Sequence, residues 1–181
     1  MASKALPSPE VLRQLLRYEP DTGKLFWLPR DRAFFGCQRS YAVWNARYSG
    51  KEALTADDQH GYRVGNVLGR TQKAHRVAWA IQTGKWPSEH IDHVNCDGAD
   101  NRWANLREAT NQQNGFNRRA NKNSKSGIKG VCWIARRKKW IAQISANGEG
   151  RSLGVFDTAE EATAAYAVAN AQIHGEFGRL G

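Results

Sequence analysis

The residues best suited to chemistry lie in the segment IDHVNCDGADN at 91–101, where Asp92 and His93 are adjacent. A hard cation such as Mg²⁺ binds oxygen ligands and keeps several of its waters. The Asp92 carboxylate and the amide oxygen of Asn114 would hold such an ion loosely and leave positions for a phosphate group. The pKa of a histidine lies near neutrality, so His93 could take a proton from an attacking water. Together these residue types predict metal-assisted hydrolysis of a phosphodiester.

Four short elements position these side chains. In chain order the sequence predicts a strand, a loop, a second strand and a helix, with the sequences HIDHV, NCDGADN, RWANLREA and TNQQNGFNRR. The loop is rich in turn-forming residues. The helix begins at Thr110, with Gln113 in the position of a capping box. Asp92 and His93 therefore lie at the end of a strand, and Asn114 lies one turn into the helix.

The chain before this segment also contains recognisable elements. An apolar stripe behind a serine predicts a helix over 8–18, followed by a turn and a strand with the sequence KLFWLP. The stretch GYRVGNVLGRTQKAHRVAW predicts a hairpin around residues 68–70, which leads into a helix over roughly 74–83 closed by Gly84. Residues 31–60 show no periodic pattern and are predicted to be irregular.

The composition changes at 120–126, where ANKNSKS is small, polar and basic and is typical of a linker. Beyond it, IKGVCWIARR, KKWIAQISA and RSLGVF predict three strands, with a hairpin turn at Asn147-Gly148. Within the second of these strands, Trp140, Ala142 and Ile144 fall on one face, because side chains alternate along a strand. The opposite face carries Lys139, Ile141, Gln143 and Ser145.

A helix follows the third strand. Thr158 and Glu161 have the spacing of a capping box, and Gly175 closes the helix. Its predicted buried stripe consists of Ala162, Ala165, Tyr166, Ala169 and Ile173. The tail is therefore predicted to be a three-stranded sheet with one helix packed across a face.

Charge indicates the class of partner. The chain has 181 residues and a net charge of +10. Ten Lys and Arg against one acid lie between Gly115 and Arg151, and this segment holds almost the whole excess. A basic stretch of this kind favours nucleic acid as the partner, and a soluble protein that is merely basic is the alternative.

Cysteine usage and hydropathy bound the setting. The three cysteines are far apart and form no CxxC pair, so a structural zinc site is not expected. Such a sparse set is typical of reduced thiols in the cytoplasm. The N-terminal residues lack an apolar targeting region, and no long apolar run exists. The protein is expected to be soluble and cytoplasmic, neither secreted nor membrane-bound.

The stretch HIDHVNCDGADNRWANLREATNQQNGFNRR resembles the ββα-metal core of HNH endonucleases of the phage and homing type, and the similarity extends over roughly 6–119. The resemblance implies that Asp92 binds the metal and that His93 is the general base. It implies that Asn105 ties the loop so that the histidine is oriented. Asn114 takes the last motif position as the second metal ligand, where many members carry histidine.

Neighbouring residues have other predicted roles. His75 precedes an apolar helix and is predicted to pack or to form a hydrogen bond. Arg102 and Arg107 are predicted either to contact phosphate or to form exposed ion pairs.

Residues 127–177 resemble the AP2 DNA-binding domain through KGV, Trp133, KKWIAQI, LGVFDTAEEA, AAYAVA and HGEF. Such domains place a three-stranded sheet in the major groove. The resemblance and the basic stretch before it together give a set of candidate DNA contacts. They are Arg118, Arg119, Lys122, Lys129, Trp133, Arg136, Arg137, Lys139, Gln143, Ser145 and Arg151.

These observations predict an α+β chain: an HNH nuclease domain with an N-terminal extension at 1–119, a basic linker at 120–126 and an AP2-like domain at 127–181. The expected function is metal-dependent hydrolysis of double-stranded DNA, with Mg²⁺ or Mn²⁺ as the cofactor. The expected molecule is a monomer or weak dimer without a small-molecule substrate. The catalytic set is Asp92, His93, Asn105 and Asn114.

Two alternatives remain open at this point. The chain could be a non-catalytic DNA-binding regulator whose HNH core is degenerate, because Asn114 replaces a histidine. It could also bind or cut RNA. Metal-dependent cleavage separates the first alternative from the nuclease, and competition between substrates separates the second.

Overall fold

The structure, a computed structural model, describes residues 5–146 and 148–181. The predicted turn residue Asn147 and the first four residues of the N-terminal segment lie outside this range. The chain forms two compact units, Met1–Glu108 and Ala109–Gly181. The division into nuclease domain, linker and AP2-like domain stays a prediction. None of the helices described here is long and apolar enough to cross a membrane.

The first unit begins with a helix that is shorter than predicted. Helix α1 spans Pro9–Leu15, and the Ser8 side chain caps it by accepting from the Val11 N–H at 3.3 Å. The chain then enters strand β1 (Leu16–Glu19), so the predicted helix over 8–18 was wrong in its last turn. The cause is a switch in periodicity: the buried pair Leu16 and Tyr18 follows strand alternation.

Strand β2 (Lys24–Trp27) pairs antiparallel with β1 and confirms the predicted strand. The segment 31–60 is not irregular as predicted. It holds a short 3-10 turn, then helix α2 (Gln38–Tyr48) and strands β3 (Glu52–Ala53) and β4 (Ala56–Asp57). Helix α2 has no fully buried side chain, so its sequence lacks the apolar stripe by which a helix is recognised.

The next elements confirm the predicted hairpin and helix. Strands β5 (Arg63–Val67) and β6 (Arg70–Lys73) pair antiparallel, and helix α3 (Ala74–Thr83) follows directly. Gly84 ends α3 in the left-handed conformation, at φ +76°. The main core lies between α1, α3 and the sheets, where Leu12, Leu15 and Val77 are fully buried.

Strands β7 (His90–His93) and β8 (Leu106–Ala109) form a two-stranded sheet and confirm the predicted strand, loop, strand order. The loop between them ends in a 3-10 turn over Trp103–Asn105. Its backbone is tied to the N-terminal hairpin, because the Trp103 N–H donates to the Pro20 carbonyl at 2.8 Å. The hairpin and the loop therefore belong to one packed unit.

The second unit follows the predicted order of elements. Helix α4 (Asn111–Phe116) carries the predicted capping box between Thr110 and Gln113. Strands β9 (Val131–Ile134), β10 (Lys139–Ala146) and β11 (Glu149–Phe156) form an antiparallel sheet with β10 in the centre, and helix α5 (Ala159–His174) packs across it. Its core contains Ala142 and Ile144, which the strand alternation predicted, and Ala162 and Tyr166, which the helix stripe predicted.

Candidate active site

Two polar side chains are buried at the end of β7. Asp92 is 4% exposed and His93 is 5% exposed. Burying a carboxylate or an imidazole is unfavourable unless each has partners. The loop after β7 and the neighbouring strand β8 supply those partners. The end of β7 is therefore a buried polar site whose groups have partners.

His93 is held by the loop that follows it. Its Nε2 lies 3.1 Å from Oδ1 of the buried Asn101. Because a carbonyl oxygen only accepts, Nε2 carries the hydrogen and Nδ1 carries the lone pair. Burial lowers the pKa of His93, against the raising effect of Asn101 and the carboxylate of Asp92. His93 is therefore neutral near pH 7, the form that accepts a proton.

Two aromatic rings pack against His93. The His75 ring stands edge-on to it, with centroids 5.0 Å apart, and the Tyr62 ring lies 5.8 Å away. Burial lowers the pKa of His75 to about 3, so it is neutral. His75 is a packing residue, as predicted. Its Nδ1 is buried and finds no hydrogen-bond partner among the described residues.

Asp92 is paired with an arginine from the adjacent strand. The Arg107 Nε and one terminal nitrogen approach Asp92 Oδ2 at 2.9 and 2.8 Å. Both side chains are largely buried, so the alternative of an exposed ion pair at Arg107 was wrong in its exposure, and the phosphate contact stays a prediction. Arg102 instead pairs with Asp100 through two bonds of 2.8 and 2.6 Å, and this guanidinium lowers the pKa of Asp100 to about 2.

The loop between β7 and β8 closes around one amide side chain. Asn105 Oδ1 accepts from the Asn95 N–H at 2.9 Å, while Asn105 Nδ2 donates to Asn95 Oδ1 at 3.0 Å and to the Asp100 carbonyl at 2.7 Å. Asn105 is 7% exposed, so water cannot replace these bonds easily. The same loop carries Asn101, which holds His93. The side chain of Asn105 thus connects both ends of the loop.

Few of the side chains near Asp92 could bind a divalent metal ion. Among residues 5–146 and 148–181, no group of three or more His, Cys, Asp or Glu is placed to hold a metal. The Asp92 carboxylate does suit Mg²⁺ or Mn²⁺, which prefer oxygen ligands and retain waters. Arg107 engages one of its oxygens, so an ion would share the carboxylate with the guanidinium. Asn114, the predicted second ligand, lies on α4 in the second unit.

Two residues of this site were missed by sequence reasoning. Asn101 had no assigned contact to His93, and Tyr62 had no role at all. Both contacts join residues that are distant in the chain or separated by a loop, and residue type alone does not reveal them. A signal was available at Gly98, where an added Cβ would lie 2.8 Å from the Tyr62 ring. A glycine in a polar loop marks such a close approach.

The predicted DNA contacts lie in the second unit and differ in placement. Arg118, Arg119, Lys122, Arg136, Arg137, Gln143, Ser145 and Arg151 are exposed, whereas Lys129, Trp133 and Lys139 are half-buried. Lys129 Nζ donates to the Phe116 carbonyl, and Lys139 pairs with Asp157. Their ammonium groups are thus already engaged within the unit.

Strand register separates these candidates into two faces of the sheet. Trp133 pairs with Trp140, and Arg151 pairs with Ile144. Because paired residues of an antiparallel sheet point to the same side, Trp133 and Arg151 lie on the face covered by α5. On the open face, Gln143 pairs with Ser152 instead. Gln143 pairs with Ser152 because the register between β10 and β11 shifts after Ala142.

Comparison with known proteins gives the family signal. Residues 72–116 match the family model described as HNH endonuclease. Protein 3.8 of Escherichia phage T7 is 27% identical over 112 residues, which cover 61% of this chain and 92% of that protein. An uncharacterized HNH endonuclease of Acanthamoeba polyphaga mimivirus is 34% identical over 118 residues, which cover 65% of this chain and 60% of that protein.

No solved structure matches the chain at a significant level. The matched segment 72–116 runs from β6 through the β7–β8 loop to α4 and contains every residue of the predicted catalytic set. The family signal and the site geometry thus fall on the same residues. The chain therefore has a match to the HNH endonuclease family at residues 72–116.

Proposed function

We propose that the chain is a metal-dependent endonuclease of the phage or homing type that hydrolyses phosphodiester bonds of double-stranded DNA. The observation that carries the proposal is the pair Asp92 and His93. A neutral imidazole, held through Nε2 by Asn101, and a buried carboxylate belong to adjacent residues at the end of one strand. These are the two groups that such a hydrolysis requires at one place.

In this reaction His93 accepts a proton from the attacking water, and Asn101 orients the imidazole through Nε2. Asp92 would hold the divalent ion, and Arg107 fixes the carboxylate in place. The ion, when bound, stabilises negative charge on the phosphate and the leaving oxygen. Asn105 keeps the loop closed so that Asn101 stays in contact with the imidazole. The role of Asn114 as a second ligand stays a prediction.

We further propose that the second unit supplies part of the DNA affinity as an AP2-like domain. A three-stranded sheet with one helix across its face supports this assignment, as do the exposed Arg136 and Arg137 at the turn between β9 and β10. Gln143 and Ser145 lie on the open face, where they are accessible to a DNA groove. Exposed arginines of this kind add affinity through phosphate contacts, whereas Gln reads base edges.

A second candidate function is a DNA-binding regulator with an inactive core. The buried ion pair between Arg107 and Asp92 favours it, because a carboxylate that is satisfied by a guanidinium has less to gain from a metal. This candidate predicts binding without cutting.

The test is cleavage of supercoiled DNA by the wild-type chain with Mg²⁺, with Mn²⁺ and with EDTA, alongside a gel-shift assay on the same DNA. Nicked or linear product that requires the metal is the expected result. Binding in all three buffers without product, on DNA from the natural source of the chain, would favour the regulator. Competition by RNA would show whether DNA is the preferred substrate.

A further inference from the structure

A cluster of aromatic rings surrounds one arginine in the first unit, away from the candidate active site. The guanidinium carbon of Arg30 lies 4.8 Å from the ring centroid of Trp27 and 3.9 Å from that of Trp44. Tyr48 stands one turn after Trp44 on α2, with ring centroids 5.3 Å apart. These aromatic side chains are all half-buried, so part of each ring faces solvent.

The backbone fixes Arg30 against α2. Asn45 accepts from the Arg30 N–H at 2.9 Å and donates to the Arg30 carbonyl at 3.1 Å. The guanidinium itself has no hydrogen bond or ion pair within the described part of the chain, and its Nε is buried without a partner. A buried donor without an acceptor is costly. Because Nε is closed off, the terminal nitrogens of the guanidinium are the donors that suit an incoming anion or acceptor.

A cavity of about 400 Å³ opens beside this cluster. Trp27, Arg30, Trp44 and Tyr48 form one side, and the tip of the β5–β6 hairpin at 66–69 forms the other. Leu68 projects there with φ +51° and is 37% exposed. We name this cavity the Arg30 pocket. Its volume falls in the range of small-ligand sites and suits a single nucleotide.

Charge also favours a nucleotide. Helix α2 carries Arg39 and Arg47 and no acidic residue. The pocket has no acidic side chain among its lining residues. Aromatic rings stack on nucleobases of any sequence, and arginine adds cation–π and phosphate contacts. A neutral apolar ligand would use the rings but would leave the Arg30 guanidinium without an acceptor.

We propose that the Arg30 pocket binds one unstacked nucleotide of a DNA strand, with its base against the rings of Trp44 and Tyr48 and its phosphate on the Arg30 guanidinium. The inference deepens the proposed function and rests on it, because DNA is the substrate assumed. It assigns a role to helix α2, whose aromatic side chains are not needed to fill the core. Such a site would hold a base that leaves the duplex near the cleavage position, at the energetic cost of unstacking.

The test measures binding of a fluorescent oligodeoxythymidylate of about 12 nucleotides to the full chain, by anisotropy in EDTA so that nothing is cut. Trp44→Leu is expected to weaken binding about five- to a hundredfold, the range for losing one stacked base. Arg30→Gln is expected to weaken it about ten- to a hundredfold, the range for losing a hydrogen bond to a charged group. Arg17→Gln is the matched control. Arg17 also lies over an aromatic ring, that of Phe26 at 4.9 Å, but pairs with Glu19. The Arg17→Gln variant should bind the oligonucleotide as tightly as the wild-type chain does.

A photochemical readout locates the contact directly. An oligonucleotide with 5-iodouracil, irradiated on the wild-type chain, is expected to crosslink to Trp44 or Tyr48, as mapped by mass spectrometry. Unchanged affinity in folded Arg30→Gln, together with crosslinks elsewhere only, would overturn the proposal. If Trp44→Leu lowers the melting temperature, the Arg30→Gln variant and the crosslink still test the proposal, because both leave the aromatic rings in place.

The outcomes distinguish this proposal from the proposed function. If the wild-type chain cuts DNA with metal but the pocket variants bind the oligonucleotide normally, the Arg30 pocket proposal is wrong and the nuclease stands. If no metal-dependent cutting occurs but the variants lose single-strand binding, the nuclease proposal fails and the nucleotide pocket stands. The two proposals thus depend on separate measurements.

Discussion

The side chain of Asn105 offers the sharpest test of how the candidate site is held. Asn105→Ala removes three hydrogen bonds, to Asn95 and Asp100, from a residue that is 7% exposed. At about 0.5–1.5 kcal/mol each, their loss should lower the free energy of opening this loop by about 1.5–4.5 kcal/mol. Amide hydrogen exchange across 94–105 should therefore accelerate by roughly ten- to a thousandfold.

Asn105→Asp tests the same contacts in another way. It keeps the acceptor for the Asn95 N–H but places a carboxylate against the Asp100 carbonyl and the Asn95 Oδ1. We expect exchange at least as fast as in Asn105→Ala at neutral pH. Asn121→Ala, which removes one exposed turn contact in the second unit, is the control. Exchange across the loop that is the same in Asn105→Ala and wild type would refute the assignment of Asn105 as the residue that closes it.

Three further predictions follow from the geometry. Arg107→Gln leaves a buried carboxylate without its ion-pair partner and should lower the free energy of unfolding by about 3–5 kcal/mol. Adding Asp92→Asn should recover part of this loss. Urea unfolding measures both variants, and additive losses would contradict the pairing. The pKa of His75 is about 3 in the folded chain and about 6.5 unfolded, so its stabilising effect is complete above pH 6.5 and is lost as pH falls toward 3. Between pH 7 and pH 5 the free energy of unfolding should fall by about 2 kcal/mol from this cause, and His75→Phe should remove the fall. Urea unfolding at both pH values measures it. The same acid sensitivity in both chains would contradict a pKa of His75 that is lowered by burial. Exchanging both Arg136 and Arg137 for Gln should reduce the slope of log affinity for DNA against log salt by about 1.8, and an unchanged slope would exclude them as phosphate contacts.

Elements that are specified by neighbouring residues could be predicted from the sequence. The capping boxes of α4 and α5 each depend on two residues three positions apart, Thr110 with Gln113 and Thr158 with Glu161, and both formed as expected. The hairpin before α3 was likewise indicated by its own turn residues. Such signals require no knowledge of the rest of the fold.

Features that depend on distant partners could not be predicted. Leu15 and Leu16 fit both a helix stripe and a strand, and pairing of Leu16 with Trp27 decided the end of α1. Helix α2 packs through half-buried aromatic side chains around Arg30. Its sequence therefore lacks the periodic apolar residues by which a helix is predicted. The partners of the site residues were hidden for the same reason, because a motif states residue types but not which side chain satisfies each buried group.

Residue types did predict the centre of the site. Asp92 and His93 were chosen because a carboxylate and an imidazole together suit metal-assisted hydrolysis, and the structure buries both at the end of β7. The sequence did not indicate that Arg107 would bind the Asp92 carboxylate. That ion pair is the physical reason for keeping a non-catalytic alternative.

The proposed role of His93 as general base is tested by comparing two histidines of the same strand. His93→Ala and His90→Ala are assayed for metal-dependent nicking of supercoiled DNA and, in EDTA, for binding to it. His90 is exposed and has no proposed role. We predict that His93→Ala loses cleavage by at least about a hundredfold and keeps its DNA affinity, while His90→Ala retains both, because only the general base has been removed. Cleavage by His93→Ala at the wild-type rate would contradict the account.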